Sequence, residues 1–327
     1  MHPKPAALTA EPASKPDAEL AERLALLLGC PTIEGLTRLS GGASRETWRF
    51  TADGRPLIVQ LQRAGDIRDM QVEANVLRAA TMAGVLAPDV VMAGPSGGAL
   101  GLAFVVQTAV DGETIARRIL RDDAFAGARL LLAPQLAGAL AAIHRVDTNA
   151  VEGLVDLDQL QQYRQVYETF EQPHPTFELA FAWLDEHRPT RQRTTLVHGD
   201  FRLGNIVVGP HGLRAVLDWE LAHIGDPLED LGWLCVRAWR FGSDLPVAGV
   251  AEYDELLDAY QRESGGVVDR QAVHWWQVLG TLKWGIMCMM QANAHLSGIS
   301  RSHELAAIGR RVCETEYDLF LALDGCW

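Results

Sequence analysis

The 327-residue chain is long enough to bury a substantial core, and its apolar fraction of 48% and charged fraction of 22% are typical of a globular protein, which excludes a disordered chain. Its 29 Lys and Arg residues against 42 Asp and Glu residues give a formal net charge of −13, which argues against a protein that binds nucleic acid through a basic face. Five scattered cysteines, none in a Cys-x-x-Cys arrangement, predict neither a disulfide framework nor a zinc site, and they fit a reducing cytoplasm.

The first residues differ in composition from the rest of the chain. Residues 1–16 are rich in Pro and Ala and lack the apolar core that a signal peptide needs, so we expect a flexible tail. The segment that comes nearest to a membrane span is 273–292, but Lys283 and Gln291 lie among its apolar residues. We interpret it as a buried helix, and we expect neither a membrane nor a nucleic acid as a partner.

Alternating apolar residues and turn signals predict a small antiparallel sheet in the N-terminal part. Gly41-Gly42-Ala43-Ser44 is a glycine-rich turn between the first two strands, and Asp53-Gly54 predicts the next turn. Val110-Asp111-Gly112 is typical of a connector, so we predict an N-terminal lobe over 17–109. The predicted elements are a helix over 17–28, strands up to residue 40 and over 47–51 and 57–61, a helix over 70–83, and strands over 87–91 and 102–106.

The second lobe, 110–327, is predicted to be mainly helical, which makes the whole chain an α+β protein. One hairpin interrupts the helices, with short strands over 206–208 and 213–217 around the turn Gly209-Pro210-His211-Gly212. The predicted helices are 115–120, 130–144, 228–239, 251–263, 273–292 and 304–323.

One segment of this lobe carries the residues that phosphoryl transfer requires. Transfer from a nucleotide needs a carboxylate that orients the attacking hydroxyl and oxygen ligands that hold magnesium against the phosphates. Asn205 precedes the first hairpin strand and Asp218 follows the second, so antiparallel pairing brings them to the same end. Asp200, in the run His198-Gly199-Asp200, lies on the loop just upstream. Each of the three is by itself equally typical of a turn or a cap, but the hairpin joins them into one candidate site.

The run from His198 to Asn205, followed by Asp218, resembles the aminoglycoside phosphotransferase and choline kinase superfamily, whose members are relatives of protein kinases. Further segments are similar to the branch that includes phosphotransferase domains fused to acyl-CoA dehydrogenases, and together the resemblance covers the chain from about Leu36 onward. It implies a bilobal protein-kinase-like fold, ATP or GTP as co-substrate and Mg²⁺ as cofactor. The segments of that branch are Ser40 to Trp48, Ile224 to Pro227 with Asp230-Leu231, and Glu304 to Arg311.

The resemblance also implies roles for single residues. Asp200 is implied as the catalytic base or hydroxyl-orienting residue, and Asn205 and Asp218 as magnesium ligands. Asp226 and Asp230 are implied to brace the catalytic loop, although an Asp before a helix equally serves as a cap. We interpret the histidine of the motif as structural, holding the loop by hydrogen bonds.

The nucleotide site departs from the family pattern at one position. Gly41, Gly42, Ala43 and Ser44 are implied to form the loop over the phosphates. The following strand should carry a Lys or Arg that pairs with a helix glutamate, but the aligned position is Gln60, with Glu73 as its helix partner. Either Arg45 or Arg63 supplies the missing charge, or the chain binds nucleotide without turning it over.

The acceptor is expected to be a small molecule with a hydroxyl group. Protein kinase activity is disfavoured, because Trp219-Glu220 follows Asp218 and no Ala-Pro-Glu closes an activation segment. By resemblance we favour a hydroxyacyl compound or its coenzyme A thioester, with an aminoglycoside or other antibiotic as the alternative; a homo-oligomer is left open. Five tryptophans are candidates for the acceptor pocket or for ordinary core packing: Trp233, Trp239, Trp275, Trp276 and Trp284.

Overall fold

The structure, a computed structural model, describes residues 15–39, 45–63 and 68–325. These residues form two compact units. The first contains the described residues up to Ala74 together with Asp89–Ala109, and the second contains Asn75–Pro88 and the residues from Val110 onward. The glycine-rich run 41–44 and nearly all of the predicted tail lie outside the described residues.

The first unit is built on a five-stranded sheet of order β1-β2-β3-β5-β4 in which all neighbouring strands are antiparallel. The Asp53-Gly54 turn between β2 and β3 has φ angles of 48° and 73°, the left-handed pair that a two-residue hairpin turn requires. The elements of this part of the chain are α1 (Lys15–Leu28), β1 (Ile33–Arg38), β2 (Arg45–Ala52), β3 (Arg55–Gln62), α2 (Met70–Met82), β4 (Val90–Gly94) and β5 (Phe104–Thr108); α2 belongs to the first unit up to Ala74 and to the second from Asn75.

The two faces of this sheet bury different residues. On one face, Trp48 and Phe50 of β2 and Val59 of β3 pack with Leu24 of α1. On the other, Val105 of β5 packs with the first turns of α2. Gln60 of β3 lies directly opposite Val105, and paired residues of neighbouring strands share a face, so Gln60 faces α2 as well.

The second unit is mainly helical and contains two short two-stranded sheets, β6 with β9 and β7 with β8. Its elements are α3 (Ala116–Arg121), α4 (Ala126–Ile143), α5 (Gln159–Glu168), α6 (Pro175–Glu186), β6 (Thr195–Val197), β7 (Ile206–Gly209), β8 (Gly212–Val216), β9 (His223–Gly225), α7 (Leu228–Leu234), α8 (Tyr253–Ser264), α9 (Arg270–Leu296), α10 (His303–Gly309) and α11 (Val312–Leu323). The largest cluster of buried apolar side chains joins α6, α9 and α11, with Phe177, Leu282 and Leu319 fully buried in it.

Two predicted helices are shorter in the structure than in the sequence analysis. The helix predicted over 228–239 ends at Leu234, because the next carbonyl, that of Cys235, accepts side-chain hydrogen bonds from Arg240 and Gln277. The helix predicted over 304–323 is broken into α10 and α11 after Gly309, which lies in close contact with Ala292 of α9. The prediction also left out α5, α6, β6 and β9.

The most membrane-like helix is not the one expected from the sequence. Among the described residues, Asp123–Ile143 is long and apolar enough to span a membrane, and 56% of its apolar window is buried inside the protein. A core helix of a globular protein meets the same criteria, so this is weak evidence for a span. The segment 273–292 lies within α9, and most of its residues up to Met289 are buried, as predicted for a buried helix.

Candidate active site

The β7–β8 hairpin brings the two predicted magnesium ligands to one end, as the sequence indicated. Ile206 pairs with Val216, and beyond this pair the Leu217 N–H donates to the Asn205 carbonyl oxygen at 2.8 Å. Asp218 is the next residue and has a φ of 65°, a left-handed conformation that costs free energy in a non-glycine residue. Strain of this kind is common at functional sites. The strained backbone of Asp218 at the hairpin foot therefore marks its carboxylate as a candidate functional group.

Asp200 is buried, and both of its carboxylate oxygens accept hydrogen bonds from described residues. Oδ1 accepts from Trp233 Nε1 at 2.8 Å and from Arg202 Nε at 3.0 Å. Oδ2 accepts from Asn205 Nδ2 at 2.5 Å, and the same amide group donates to the Asp200 carbonyl oxygen at 3.0 Å. The structure therefore joins Asp200 and Asn205 directly and gives the carboxylate one fixed orientation.

His198 holds the loop that carries Asp200, and neither hydrogen bond of its ring is made to the Asp200 carboxylate. Its Nδ1 accepts from the Asp200 N–H at 3.2 Å, so its Nε2 carries the proton and donates to the Leu217 carbonyl oxygen at 3.0 Å. Burial lowers the pKa of His198, which keeps the ring neutral and in this tautomer. The ring thus ties the loop before Asp200 to the strand end before Asp218.

Asp230 braces the same loop from the first turns of α7. It is fully buried and accepts from the His198 N–H at 2.8 Å, the Gly199 N–H at 2.9 Å and His144 Nε2 at 3.1 Å. Burial alone raises the pKa of Asp230, but these hydrogen bonds and the neighbouring His144 outweigh it, so the pKa is lowered. Asp226, two residues before α7, instead accepts at 2.9 Å from the N–H of Leu228, the first residue of that helix, and so satisfies one free amide of the first turn.

A buried ionic network contacts the loop that carries Asp200, and the sequence analysis did not predict it. Lys283 Nζ donates to the Gly199 carbonyl oxygen at 3.1 Å and to Glu229 Oε1 at 3.3 Å. The other oxygen of this carboxylate contacts His223 Nε2 at 3.1 Å. The one available signal was the presence of Lys283 in the largely apolar segment 273–292, because buried lysines are rare without partners.

The oxygen donors at the hairpin foot fit a magnesium ion. Asn205 Nδ2 must face Asp200, whose oxygens can only accept, and this directs Asn205 Oδ1 away from Asp200. That oxygen and the Asp218 carboxylate are hard ligands of the kind that Mg²⁺ prefers. Within residues 15–39, 45–63 and 68–325, no three His, Cys, Asp or Glu side chains group as a metal site, and Mg²⁺ characteristically completes its shell with phosphates and water.

In the first unit, Glu73 is ion-paired with Arg45 and both side chains are buried, with 7% and 4% of their surfaces exposed. The sequence analysis assigned Glu73 to Gln60, and this assignment is corrected: Gln60 is half-buried on the sheet face toward α2, but it carries no charge to attract the carboxylate. The alternative cation named from the sequence, Arg45, thus takes the place beside Glu73.

The five tryptophans separate into two groups. Trp233, Trp239 and Trp284 lie in one aromatic row with ring centroids 5.2 Å and 4.8 Å apart, and Trp233 contacts Asp200. The Arg202 guanidinium carbon lies 4.8 Å from the centroid of the Trp239 ring, and that of Arg311 lies 5.5 Å from the Trp284 ring. The other two, Trp275 and Trp276, belong to the core of α6 and α9.

Comparison with known proteins places this geometry in context. The model of the phosphotransferase enzyme family matches residues 35–276. Acyl-CoA dehydrogenase family member 10 of Mus musculus is 29% identical over 230 residues, which are 65% of this chain and 21% of that protein. An aminoglycoside 3′-phosphotransferase of Streptomyces fradiae is 29% identical over 141 residues, 42% of this chain and 48% of that protein. The chain spans about a fifth to a third of the dehydrogenase relatives that it matches most extensively.

Solved structures agree on the fold. A candidate aminoglycoside phosphotransferase from Ralstonia eutropha has a TM-score of 0.72 at 19% identity, covering 93% of this chain and 98% of that one. A thermostable mutant of aminoglycoside phosphotransferase APH(4)-Ia, in a ternary complex with AMP-PNP and hygromycin B, has a TM-score of 0.62 at 15% identity, covering 92% and 98%. The predicted fold class, with a small antiparallel sheet and a mainly helical second part, is confirmed.

Proposed function

We propose that this chain, which belongs to the phosphotransferase enzyme family, transfers the γ-phosphoryl group of ATP or GTP to a hydroxyl group of a small molecule. The observation that carries the proposal is the 2.5 Å hydrogen bond from Asn205 Nδ2 to Asp200 Oδ2, at the foot of the hairpin that leads to Asp218. In the proposed reaction, Asp200 accepts a hydrogen bond from the attacking hydroxyl and takes up its proton. The ADP or AMP-PNP bound to related proteins supports a nucleotide as co-substrate.

Mg²⁺ is the cofactor that this proposal requires, and Asn205 and Asp218 are the residues that we propose hold it. A bound magnesium ion supplies neutralisation of the negative charge on the phosphates. The hydrogen bond between Leu217 and Asn205 keeps the two ligand positions adjacent. The run from Gly41 to Ser44 remains our prediction for the loop over the phosphates.

We propose that Arg45 replaces the strand lysine of related enzymes. It forms the ion pair with Glu73 that the family pattern expects of that lysine, and it follows directly after the predicted phosphate loop. A guanidinium can hydrogen-bond to Glu73 and to a phosphate at once, because it carries five N–H donors.

Replacing Arg45 by Met is expected to raise the nucleotide KM by about 10- to 100-fold, the value of one charge-assisted hydrogen bond to a phosphate. The substitution also removes the guanidinium that is paired with the buried carboxylate of Glu73, which lowers the stability of the protein. The double variant Arg45→Met with Glu73→Met removes both charges and controls for this effect. If the double variant regains thermal stability and also regains the wild-type nucleotide KM, Arg45 does not bind the nucleotide.

The side chains near Asp200 favour an acceptor with an anionic or acyl group over a polycation. Arg202 contacts Asp200 and lies over Trp239, and Arg311 lies over Trp284, so a guanidinium lies against two of the three rings of the aromatic row. The Nε1–H of Trp239 is buried and donates to no described residue. These groups suit a carboxylate or a thioester carbonyl, which supports a hydroxyacyl compound or its coenzyme A thioester. The similarity to an aminoglycoside 3′-phosphotransferase supports an antibiotic as the second candidate.

Release of ADP or GDP in the presence of Mg²⁺ tests the function and separates the two acceptors. We expect hydroxy acids or hydroxyacyl thioesters to stimulate release, and we expect Arg202→Gln to raise their KM by about tenfold, the value of a lost charge-assisted contact. Stimulation by aminoglycosides, with no response to hydroxyacyl compounds, would favour the antibiotic candidate. Nucleotide binding measured by thermal shift, with no release for any alcohol, would favour a binding protein without turnover.

We also propose a cytoplasmic location. Cys30, Cys235 and Cys288 are buried, Cys313 is exposed, and these four described cysteines are free. Free thiols are the usual state in a reducing compartment.

A further inference from the structure

Lys283 is buried at the middle of α9, with 4% of its side chain exposed. Removing an ammonium group from water forfeits its hydration, so such a group persists only where partners compensate for that loss. Its partners are the Gly199 carbonyl oxygen, Glu229 and the faces of the Trp233 and Tyr163 rings, whose centroids lie 4.9 Å and 5.4 Å from Nζ. Two of these partners, Gly199 and Trp233, belong to or directly contact the loop that carries Asp200.

The contact with Gly199 acts on the peptide unit that precedes Asp200. The carbonyl of Gly199 and the N–H of Asp200 belong to one planar group, so fixing both ends fixes the plane. Lys283 Nζ holds the oxygen end, and His198 Nδ1 accepts from the N–H end at 3.2 Å. The orientation of this plane sets the direction in which the Asp200 side chain leaves the backbone.

Gly199 itself is confined from the remaining sides. Its φ is 78°, and a Cβ at this position would lie 2.5 Å from the Leu221 carbonyl oxygen, so no larger side chain is compatible with this conformation. The Leu221 carbonyl accepts from His223 Nδ1, and His223 Nε2 reaches Glu229. The network through Glu229 therefore links Lys283 back to the backbone that packs on Gly199.

We infer that Lys283 is a positioning residue for the proposed phosphoryl transfer: by holding the Gly199 carbonyl and the Trp233 ring, it sets the direction of the Asp200 carboxylate. The inference rests on the proposed function for its catalytic consequence, but its structural content does not depend on the acceptor. A side chain 84 positions away in sequence thus contributes to the geometry of the reacting group.

The charge of Lys283 persists at neutral pH. Burial alone lowers the pKa of Lys283, but its neighbours Tyr163, Glu229 and Asp200 together outweigh burial, so the pKa is raised. On the other side of the ion pair, burial raises the pKa of Glu229, while His223 and Lys283 lower it by more. Lys283 therefore donates as an ammonium group to the Gly199 carbonyl.

Two variants of the same ion pair separate positioning from stability. Lys283→Met removes the donor to Gly199, and we expect kcat to fall by about 100-fold with the nucleotide KM changed by less than about threefold, since a small misplacement of a reacting group has effects of this size. Glu229→Gln breaks the same ion pair but leaves Lys283 facing Gly199, so we expect a comparable loss of thermal stability and a much smaller loss of kcat. Lys283→Arg keeps the charge and the donor, and we expect it to recover part of the lost turnover.

Amide hydrogen exchange of the peptide that covers 198–201 gives a readout that needs no acceptor. We expect Lys283→Met to accelerate exchange in this peptide more than Glu229→Gln does, because it frees the loop from α9. Equal kcat losses in the two variants, or equal exchange rates, would overturn the inference and leave a purely structural ion pair. If the wild-type protein releases no ADP or GDP with any alcohol, the proposed function fails, while the exchange comparison still decides whether Lys283 holds the loop.

Discussion

Asp200→Asn is expected to reduce kcat by about 10²- to 10⁴-fold, the usual contribution of a positioned acid or base. The amide cannot take up the proton of the attacking hydroxyl at neutral pH. It also disturbs the site, because an Asn at position 200 that keeps its oxygen toward Trp233 and Arg202 turns its NH₂ toward the NH₂ of Asn205. Steady-state release of ADP or GDP measures the effect, and thermal melting shows that the fold is retained.

A matched control for Asp200→Asn is available on α6. Asp185 is 59% exposed and pairs with Arg164 at the surface, where an ion pair contributes little to stability. Asp185→Asn makes the same chemical change and should leave kcat unaltered. If Asp200→Asn retains kcat within about threefold of wild type while Asp185→Asn does the same, Asp200 has no chemical role and the proposed assignment is wrong.

The parts of the site that could be predicted from sequence are those close together along the chain. Asn205 and Asp218 flank a hairpin whose strands and turn are local, so pairing alone brought them together. The contact of Asp200 with Asn205 spans only five residues. Trp233 and Lys283 join the same loop across 33 and 84 residues, and the packing of α7 and α9 that brings them there has no local signature in the sequence.

The reassignment of Glu73 shows a different limit. The family resemblance aligned Gln60 with the expected strand cation, and Gln60 does lie on the sheet face toward α2; alternate residues of the neighbouring strand share that face, and Arg45 is one of them. Strand periodicity predicts the sheet face on which a residue lies, but it does not predict which side chain on that face reaches the helix. Charge then decides, because a buried carboxylate is far better compensated by a guanidinium than by an amide.

Asp230→Asn is expected to lower the free energy of unfolding by about 3 to 5 kcal/mol at pH 7, the cost of removing one partner from a buried ionic hydrogen-bond network. Asp230 serves two backbone N–H groups and His144 at once, and an amide offers one acceptor oxygen where the carboxylate offers two. One of the loop N–H groups then faces an NH₂ group. Urea unfolding measures the loss, and kcat should fall with it, since the loop before Asp200 loses its support.

The pH dependence of stability distinguishes Asp230 from Asp226, which lies just before α7. The pKa of Asp230 is lowered in the folded state from its ordinary value of 3.8, so its contribution is fully present well above pH 3.8 and is lost as the pH falls below that value. The stability difference between wild type and Asp230→Asn should therefore narrow in acid. Burial raises the pKa of Asp226, so the sign reverses: relative to Asp226→Asn, wild type should lose stability as the pH rises from 3.8 through the raised pKa. A difference for Asp230→Asn that widens toward acid would contradict an ionised Asp230 as the brace of the catalytic loop.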